Sequence, residues 1–356
     1  MLTYLSGEEK LETRELWEQI FDEDSASFLD YYYSEKIRDN RILAIREDGA
    51  IQSMVQMNPY VICARGRRWR VDYIVGVATR EEKRHHGYMR QLLLAMMADM
   101  RAEEAPFCFL MPADEAIYRP FGFTWIFRQP QWKRKEGNGI CSVPFTGMGK
   151  PGTWAGHARY TAEMAEWMNR WLAARYQLYA VRDEAYLRRL LKEIASENGQ
   201  VELLYRADTM IGMQSEWGWN RREQRFLYCD SSYVEEAAEP KPAIMARVIT
   251  PEVFVRVIRL KSTVLEQERQ IRLALEDPLI PENEGLWNWH LNRQTSWLEP
   301  VNETERIRES AACEEDLRLT VTELTEWLFG YAVPKAAEPF ADVVEPLNGV
   351  FLDEVV

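Results

Sequence analysis

Between residues 71 and 100, an apolar segment, a basic polar turn and an amphipathic segment follow one another along the chain. Residues 71–77 predict a buried strand, and the turn spans Arg84 to Gly87. A helix that begins near Gly87 would direct its free backbone N–H groups and the positive end of its dipole into the turn, where an anion binds. The helix is indicated by apolar residues at helical spacing: Met89, Leu92, Leu93, Met96, Met97 and Met100. This order predicts a diphosphate-binding turn, with a plain strand-to-helix connection as the alternative.

The turn Arg84-His-His-Gly87-Tyr-Met89 resembles the Arg/Gln-x-x-Gly-x-Gly/Ala pyrophosphate loop of the GNAT N-acetyltransferases. It differs at Met89, where the family usually has Gly or Ala, and at Glu81, where a proline is common. The resemblance implies that acetyl-CoA is the acetyl donor and that backbone groups of Val77 and Thr79 align its acetyl carbonyl and pantetheine. It also implies which residues cradle the diphosphate: Arg84, His85, Gly87, Tyr88 and Met89.

A second predicted strand, at 107–111, precedes Ile117-Tyr118-Arg-Pro-Phe-Gly-Phe123. This pair of segments resembles the GNAT strand and the short helix after it, whose tyrosine lies beside the acetyl-CoA sulfur. When an amine attacks the thioester, the departing thiolate needs a proton, and a phenol with a pKa of about 10 can supply it. The resemblance therefore implies that Tyr118 is the general acid. The alternative is a core aromatic with a hydrogen-bonded hydroxyl.

Over nearly its whole length the chain resembles the Eis-like acetyltransferases, named for the enhanced intracellular survival protein. The resemblance rests on the two segments above, on Asp277-Pro-Leu-Ile-Pro-Glu-Asn-Glu-Gly285 and on the apolar run 350–356. It implies an α+β fold with mixed α/β sheets: tandem GNAT folds, the first catalytic and the second degenerate, followed by a sterol-carrier-like domain. The expected domains are 1–134, 135–242 and 243–356.

Two features set the outer limits of the second domain. A loop rich in glycine and proline opens it after residue 134, and the segment Glu235-Glu-Ala-Ala-Glu-Pro-Lys-Pro242 is interpreted as the linker that closes it. Nothing between them resembles the Arg-x-x-Gly loop, so no second cofactor site is expected. In the third domain, the apolar face raises the hypothesis of lipid carriage, but its strand tryptophans are more often core residues.

Apolar residues continue to Val356, which suggests that this end of the chain docks rather than frays. In Eis-like enzymes the terminal carboxylate enters the first domain's active site and accepts the amine proton, so the Val356 carboxylate is the expected base. A carboxylate with a pKa of about 3.5 is ionised at neutral pH. The alternative is an edge strand of the third domain. Further acidic residues are candidates for holding a cationic amine, or are surface charges: Asp22, Glu23, Asp24 and Glu354.

Composition narrows the remaining classes. A length of 356 residues exceeds what one core usually supports, so two or three domains are expected. No stretch approaches the ~20 apolar residues of a membrane span, and the first residues lack a signal peptide's apolar core, so we expect a cytoplasmic protein with no membrane contact. Five scattered cysteines indicate reduced thiols and no metal centre. The net charge of −13 argues against nucleic acid and favours cationic ligands.

The sequence therefore predicts an acetyl-CoA-dependent N-acetyltransferase that acts on primary amines of a cationic, aminoglycoside-like or polyamine-like acceptor. Two alternatives stay open. The chain could bind acetyl-CoA as a regulatory protein without turnover, because a bulky Met89 could narrow the cradle, or it could acetylate peptide or protein lysines. Family resemblance further implies a homo-oligomer, commonly a hexamer.

Overall fold

A nine-stranded mixed sheet organises the fold and takes strands from all three predicted domains. The computed structural model describes residues 1–136, 139–145, 156–301 and 317–354, with the backbone alone for 156–160. The first region contributes six strands: β1 Leu2–Tyr4, β2 Arg41–Glu47, β3 Ala50–Ala64, β4 Arg67–Thr79, β5 Phe107–Leu110 and β6 Thr124–Arg134. Its helices are α1 Thr13–Ile20, α2 Ala26–Glu35, α3 Tyr88–Ala102 and α4 Glu115–Tyr118.

The second region forms a separate antiparallel sheet of four strands in the order β11-β10-β9-β7. Its elements are β7 Ile140–Phe145, α5 Gly156–Ala173, β8 Leu178–Ala180, α6 Glu184–Ser196, β9 Gln200–Arg206, β10 Thr209–Trp217 and β11 Glu223–Cys229. Of these, β8 leaves the second sheet and pairs with β3 of the first, Ile62 opposite Ala180.

The last region builds a four-stranded sheet in the order β16-β15-β14-β17 and a two-stranded ladder of β13 and β18. Its elements are β12 Val234–Val248, α7 Pro251–Phe254, β13 Arg259–Leu260, β14 Glu268–Glu276, β15 Gly285–Asn292, β16 Ser296–Pro300, β17 Leu317–Thr320, α8 Val321–Leu328, β18 Val344–Glu345 and β19 Val350–Phe351. Short 3-10 helices lie at Gly7–Glu12, Lys36–Arg38, Glu81–Lys83, Arg119–Phe121, Ser231–Tyr233, Val255–Val257, Pro281–Asn283 and Lys335–Phe340.

The predicted linker at 235–242 is wrong, because these residues belong to β12. This strand pairs with both β5 and β6 and lies between them, so the first sheet runs in the order β1-β2-β3-β4-β5-β12-β6. The second region is thus inserted between two neighbouring strands of the first sheet. The predicted boundaries at 134 and 242 give the order of the three regions along the chain. The first sheet nevertheless contains strands from beyond these boundaries.

Two arginine side chains fasten the third region to the first sheet. Arg247, fully buried on β12, donates from Nη2 to Asp277 Oδ1 at 2.6 Å. Arg65, at the tip of the β3–β4 hairpin, bonds the backbone oxygens of Val257 and Pro346 and pairs with Glu345 at 2.7 Å. The tip of this hairpin is therefore an interdomain anchor at Arg65.

A β-bulge shapes the centre of the sheet. Met54 faces Ala78 and Gln56 faces Val75, so two residues of β4 oppose Val55 alone. Gly76 is one of the two and has φ +54°, a conformation that costs other residues energy. A Cβ atom there would lie 2.6 Å from the ring of the buried Trp17. Glycine is therefore required both by the backbone and by the close approach of α1.

The bulge predicts a specific stability difference. Gly76→Ala should lower the free energy of unfolding by about 2–4 kcal/mol, because it combines left-handed strain with a clash against Trp17. Gly66→Ala is the matched control: Gly66 has φ +83° and open space around it, so only the strain of about 1–2 kcal/mol applies. Urea unfolding of both variants measures the difference, and equal losses would contradict this account of the bulge.

Candidate active site

A slot opens in the first sheet where β4 and β5 part. The two strands pair in parallel at only two positions, Tyr73 with Phe109 and Ile74 with Leu110. Pro112, which has no backbone N–H to donate, follows β5 within two residues. Beyond Ile74, no strand in the described part of the chain pairs with this side of β4. The edge that contains Val77 and Thr79 is therefore free to bind an extended ligand as an added strand.

The slot leads into the predicted cradle. Gly87, with φ +80°, is the N-cap of α3, and the first helical bond runs from the Gln91 N–H to the Gly87 oxygen. The N–H groups of Tyr88, Met89 and Arg90 consequently have no helical acceptor and point into the turn. Arg84 is exposed and adds a positive charge beside them, and His85 bends the turn with φ +65°. The turn has the geometry of an anion site at a helix N-terminus.

Tyr88 and Met89, which follow Gly87, are both held by the rest of the first domain. The Tyr88 hydroxyl donates to Glu47, and Lys83 pairs with the other oxygen of this carboxylate at 2.7 Å, which ties the turn to the β2–β3 hairpin. The half-buried Met89 packs against the hydrophobic cluster that contains Leu92 and Met96 of α3. Met89 therefore contributes to the packing of α3 against the sheet.

Tyr118 ends the short helix α4, which Asp114 caps by accepting from the Ala116 N–H at 2.9 Å. The ring is 9% exposed and packs edge-on against Phe123, with 6.0 Å between the centroids. Burial raises the pKa of Tyr118 to about 12, so the hydroxyl keeps its proton at neutral pH. No group in the described residues hydrogen-bonds this hydroxyl, which leaves it available to a ligand.

The chain's last described residues enter the space between the first and second regions. Strand β19 pairs in parallel with β8, with Phe351 opposite Tyr179, and β8 in turn pairs with β3. The ring of Phe351 packs 5.6 Å from Phe127 of β6. The segment is thus a strand of the first sheet, at odds with an edge strand of the third domain. Val356, the expected base, lies outside the described residues.

A buried ion-pair network holds this segment. Arg182, 1% exposed, donates to Glu354 and also pairs with Asp353 at 2.7 Å. Tyr186 donates to Glu354 at 2.9 Å, and Tyr228 donates to Asp353. Burial opposes ionisation of Glu354, but the charge and hydrogen bond of Arg182 outweigh it, so the pKa of Glu354 lies below its ordinary value. The carboxylate predicted to hold a cationic substrate is already paired within the protein.

The acidic run between α1 and α2 is also partly engaged. Asp22 and Glu23 are exposed, whereas Asp24 accepts from Trp17 Nε1 at 2.7 Å. Burial raises the pKa of Asp24, with a smaller opposing effect from that hydrogen bond. Since Trp17 contacts the bulge at Gly76, Asp24 supports the sheet beside the slot. Asp22, Glu23 and Asp24 lie apart from the two cavities that adjoin the C-terminal segment, one of which Glu354 lines.

Two cavities adjoin the C-terminal segment. The larger, about 740 Å³, begins at Met111 directly after β5 and is lined by Phe351 and Asp353. The smaller, about 480 Å³, lies against α6 and the middle of β3 and is lined by Glu354. The larger cavity adjoins the end of the slot where β5 stops. It is therefore the better candidate for the acceptor.

Sequence reasoning missed the residues that build this cavity and hold the tail. Arg182 directly precedes the N-cap of α6, and nothing in its local pattern shows that it pairs with residues 171 positions away. The cavity walls come from β6, α5 and the β10–β11 hairpin, through Trp132, Trp171 and Trp217. Tryptophans scattered over three elements carry no local signal of a shared site.

Among the described residues, no group of three or more His, Cys, Asp or Glu side chains is placed to hold a metal ion. Within the same residues, none of the helices combines the length and apolarity that crossing a membrane requires.

Two family comparisons match separate parts of the chain. Residues 3–126 match the acetyltransferase (GNAT) domain, and residues 255–348 match the sterol carrier protein domain. The chain therefore combines a GNAT acetyltransferase domain with a sterol carrier protein domain, in the order that the sequence predicted. The predicted family, fold class and enzyme class are thereby confirmed. No curated protein matches this chain.

Solved structures share the fold of nearly the whole chain. A conserved protein of Enterococcus faecalis described as a probable N-acyltransferase superposes with a TM-score of 0.72 at 17% identity, over 98% of this chain and 93% of the other. A GCN5-related N-acetyltransferase of Anabaena variabilis gives 0.71 at 13% identity, over 97% and 94%. Eis1 of Mycobacterium abscessus gives 0.66 at 11% identity, over 97% and 93%. At these identities the likeness is one of fold.

The ion-pair network around Arg182 yields a stability prediction. Arg182→Met should lower the free energy of unfolding by about 3–5 kcal/mol, because it leaves two buried carboxylates without their partner. Arg188→Met is the control, since Arg188 is half exposed and pairs with Glu184 one helical turn away, which contributes about 0.3–0.5 kcal/mol. Urea unfolding at pH 7 compares them. A loss below about 1 kcal/mol for Arg182→Met would contradict the network's role.

The same pair predicts a pH dependence. Since the folded-state pKa of Glu354 is below its ordinary 4.5, the stabilisation is fully present above 4.5 and is lost as the pH falls through the folded-state value. In Arg182→Met, burial of Glu354 is no longer offset by this charge, so the stability difference between the wild type and the variant should shrink as the pH falls and the carboxylate takes up a proton. Urea unfolding from pH 7 downwards measures it, and a difference that grows on acidification would contradict the assignment.

Proposed function

We propose that this chain transfers an acetyl group from acetyl-CoA to a primary amine in the first domain. The pantetheine pairs with the free edge of β4 at Val77 and Thr79. The diphosphate binds the turn through Arg84 and the N-terminal N–H groups of α3. The observation that carries the proposal is the continuity of the slot and the turn: an unpaired strand edge leads directly to a helix N-terminus with free donors.

The proposed reaction is a direct transfer. The amine nitrogen attacks the thioester carbonyl carbon, a C–N bond forms, and the C–S bond breaks. Tyr118 gives its hydroxyl proton to the departing thiolate and later regains a proton from water. The ammonium proton passes, directly or through water, to the proposed base, the Val356 carboxylate. Holding both reactants in the slot and the larger cavity converts a bimolecular step into a nearly unimolecular one.

The path of the tail supports this choice of base. Residues 350–351 run parallel to β8, and Asp353 and Glu354 are fixed by Arg182 between the two cavities. Two residues span at most about 7 Å of extended chain beyond Glu354. The described tail is thereby anchored beside both cavities, which supports the Val356 carboxylate as the proposed base.

Two observations about charge point to different classes of acceptor. The net charge of −13 attracts cationic amines towards the protein, which supports the aminoglycoside-like or polyamine-like class that the sequence favours. The acidic residues first assigned to bind such a cation line neither the slot nor the larger cavity. We therefore propose acetylation of a primary amine. The charged residues that line the larger cavity indicate which class of amine it is.

Tyr118→Phe tests the chemical role. The variant should lower kcat by a factor of roughly 10²–10⁴ because the thiolate loses its proton donor, while the Kd for acetyl-CoA stays unchanged. Thiol release measures turnover, and isothermal titration with acetyl-CoA measures binding. Tyr233→Phe is the control, because it removes a hydroxyl that bonds Arg206 in the second region, remote from the slot.

The possible results distinguish acetyl transfer from a regulatory role. Full turnover by Tyr118→Phe would remove Tyr118 from the mechanism. Binding of acetyl-CoA by the wild type without thiol release, across a panel of polyamines, aminoglycosides and lysine peptides, would favour a regulatory protein. Absence of binding would contradict the assignment of the slot and turn.

A further inference from the structure

The larger cavity has an unusual distribution of charge for a polyamine site. Four basic residues and two acidic ones lie in its described lining: Arg221, Arg222, Arg225, Lys241, Glu223 and Asp353. Of these six residues, Asp353 is paired with Arg182 at 2.7 Å, and Arg225 is paired with Glu193 at 3.7 Å. Glu223 is then left as the sole unpaired acid among these residues. The local field in the cavity is therefore positive, although the protein as a whole carries −13.

Three of the basic groups are free to bind a ligand. No ion pair engages Arg221, Arg222 or Lys241 in the part of the chain that the structure describes, and Arg222 bonds a backbone oxygen of Asn198 alone. All three are exposed, on the β10–β11 hairpin and on β12, and so lie at the cavity mouth. They can approach an incoming anion without breaking an existing salt bridge.

A fourth basic group lies deeper. Arg225 is 6% exposed and donates from Nη1 to the Asp353 backbone oxygen at 3.0 Å. Its guanidinium also pairs with Glu193. Arg225 is therefore engaged inside the protein, and the charges that the cavity offers to an anionic group are the three at its mouth.

Aromatic side chains supply the rest of the surface. Trp132, Trp171 and Trp217 line the cavity, and Trp219 lies on the same hairpin as Arg221 with 58% of its surface exposed. Apolar walls with a few convergent polar groups are typical of small-molecule sites, and about 740 Å³ is within the usual range. Tryptophan faces also suit a flat or aromatic portion of a ligand.

From these observations, and resting on the proposed function, we infer that the acceptor is an amine that also carries an anionic group. Its amine reaches the slot beside Met111, while its carboxylate or phosphate meets Arg221, Arg222 and Lys241. Guanidinium groups bind carboxylate and phosphate oxygens through paired hydrogen bonds, which makes arginine the favoured residue for such a group. A polyamine would meet repulsion at the same mouth.

Three acceptors with one identical amine test this inference. Glycyl-tyrosine carries a carboxylate, glycyl-tyrosinamide has an uncharged amide in place of that carboxylate, and glycyl-O-phosphotyrosinamide carries a phosphate. Thiol release from acetyl-CoA gives kcat/KM for each and for spermidine. We expect at least one anionic compound to exceed the neutral amide by roughly tenfold, with spermidine below the amide. The two anionic arms distinguish a carboxylate from a phosphate.

A triple variant locates the effect. The variant combines Arg221→Gln, Arg222→Gln and Lys241→Gln. It should lower the ratio of kcat/KM for the anionic acceptor to kcat/KM for the amide to roughly twofold or less. The charges that attract the anion are then gone, and a roughly twofold ratio corresponds to the small energies that exposed charges contribute. The Kd for acetyl-CoA should be unchanged. Lys133→Gln, a neutralisation on the neighbouring strand outside the cavity, should keep the full ratio.

The outcomes separate this inference from the proposed function. Preference for spermidine or for the amide would overturn the inference and leave acetyl transfer intact. If no compound releases thiol, acetyl transfer to these amines fails, and quenching of tryptophan fluorescence then decides the inference alone. Tighter binding of an anionic compound, lost in the triple variant, would support it, and equal or absent binding would overturn it.

Discussion

The pairing of Arg182 with two consecutive carboxylates is the interaction on which the proposed site depends. Asp353 and Glu354 are 2% exposed each, and ionised groups at that depth need a partner of opposite charge. Arg182 satisfies both at once and is itself stacked on Tyr186, with 4.3 Å between the guanidinium carbon and the ring centroid. Without this arginine the tail would expose two charges to an apolar environment. With it, a chain end becomes a fixed wall of the larger cavity.

This pairing also explains why the three regions form one site. The arginine belongs to the second region, the carboxylates to the last segment, and the sheet they cover to the first. Strand β12 completes that sheet only after the second region has been inserted, and Arg65 and Arg247 fix the third region to it. The slot itself is formed by β4 and β5 of the first region alone. The acceptor cavity and the tail exist only when all the regions are assembled.

Local features of this assembly could be predicted from the sequence, whereas composite ones could not. The strand, turn and helix around Gly87 are adjacent in sequence, and their hydrophobic period gives their order directly. The segment 235–242 has the composition of a linker, with three glutamates and two prolines, but it pairs with β6 through an irregular register that accommodates them. The partner of Glu354 is set by tertiary packing alone. A cation-binding role for that residue was reasonable from charge, but the structure shows an internal ion pair.

The structure of this protein in complex with CoA, determined by crystallography, tests the account most directly. The account predicts the diphosphate at the turn from Arg84 to Met89, the pantetheine along the free edge of β4, and the sulfur within about 3.5 Å of the Tyr118 hydroxyl. The same map would show whether the Val356 carboxylate faces the larger cavity. A diphosphate bound elsewhere, or a sulfur remote from Tyr118, would contradict it.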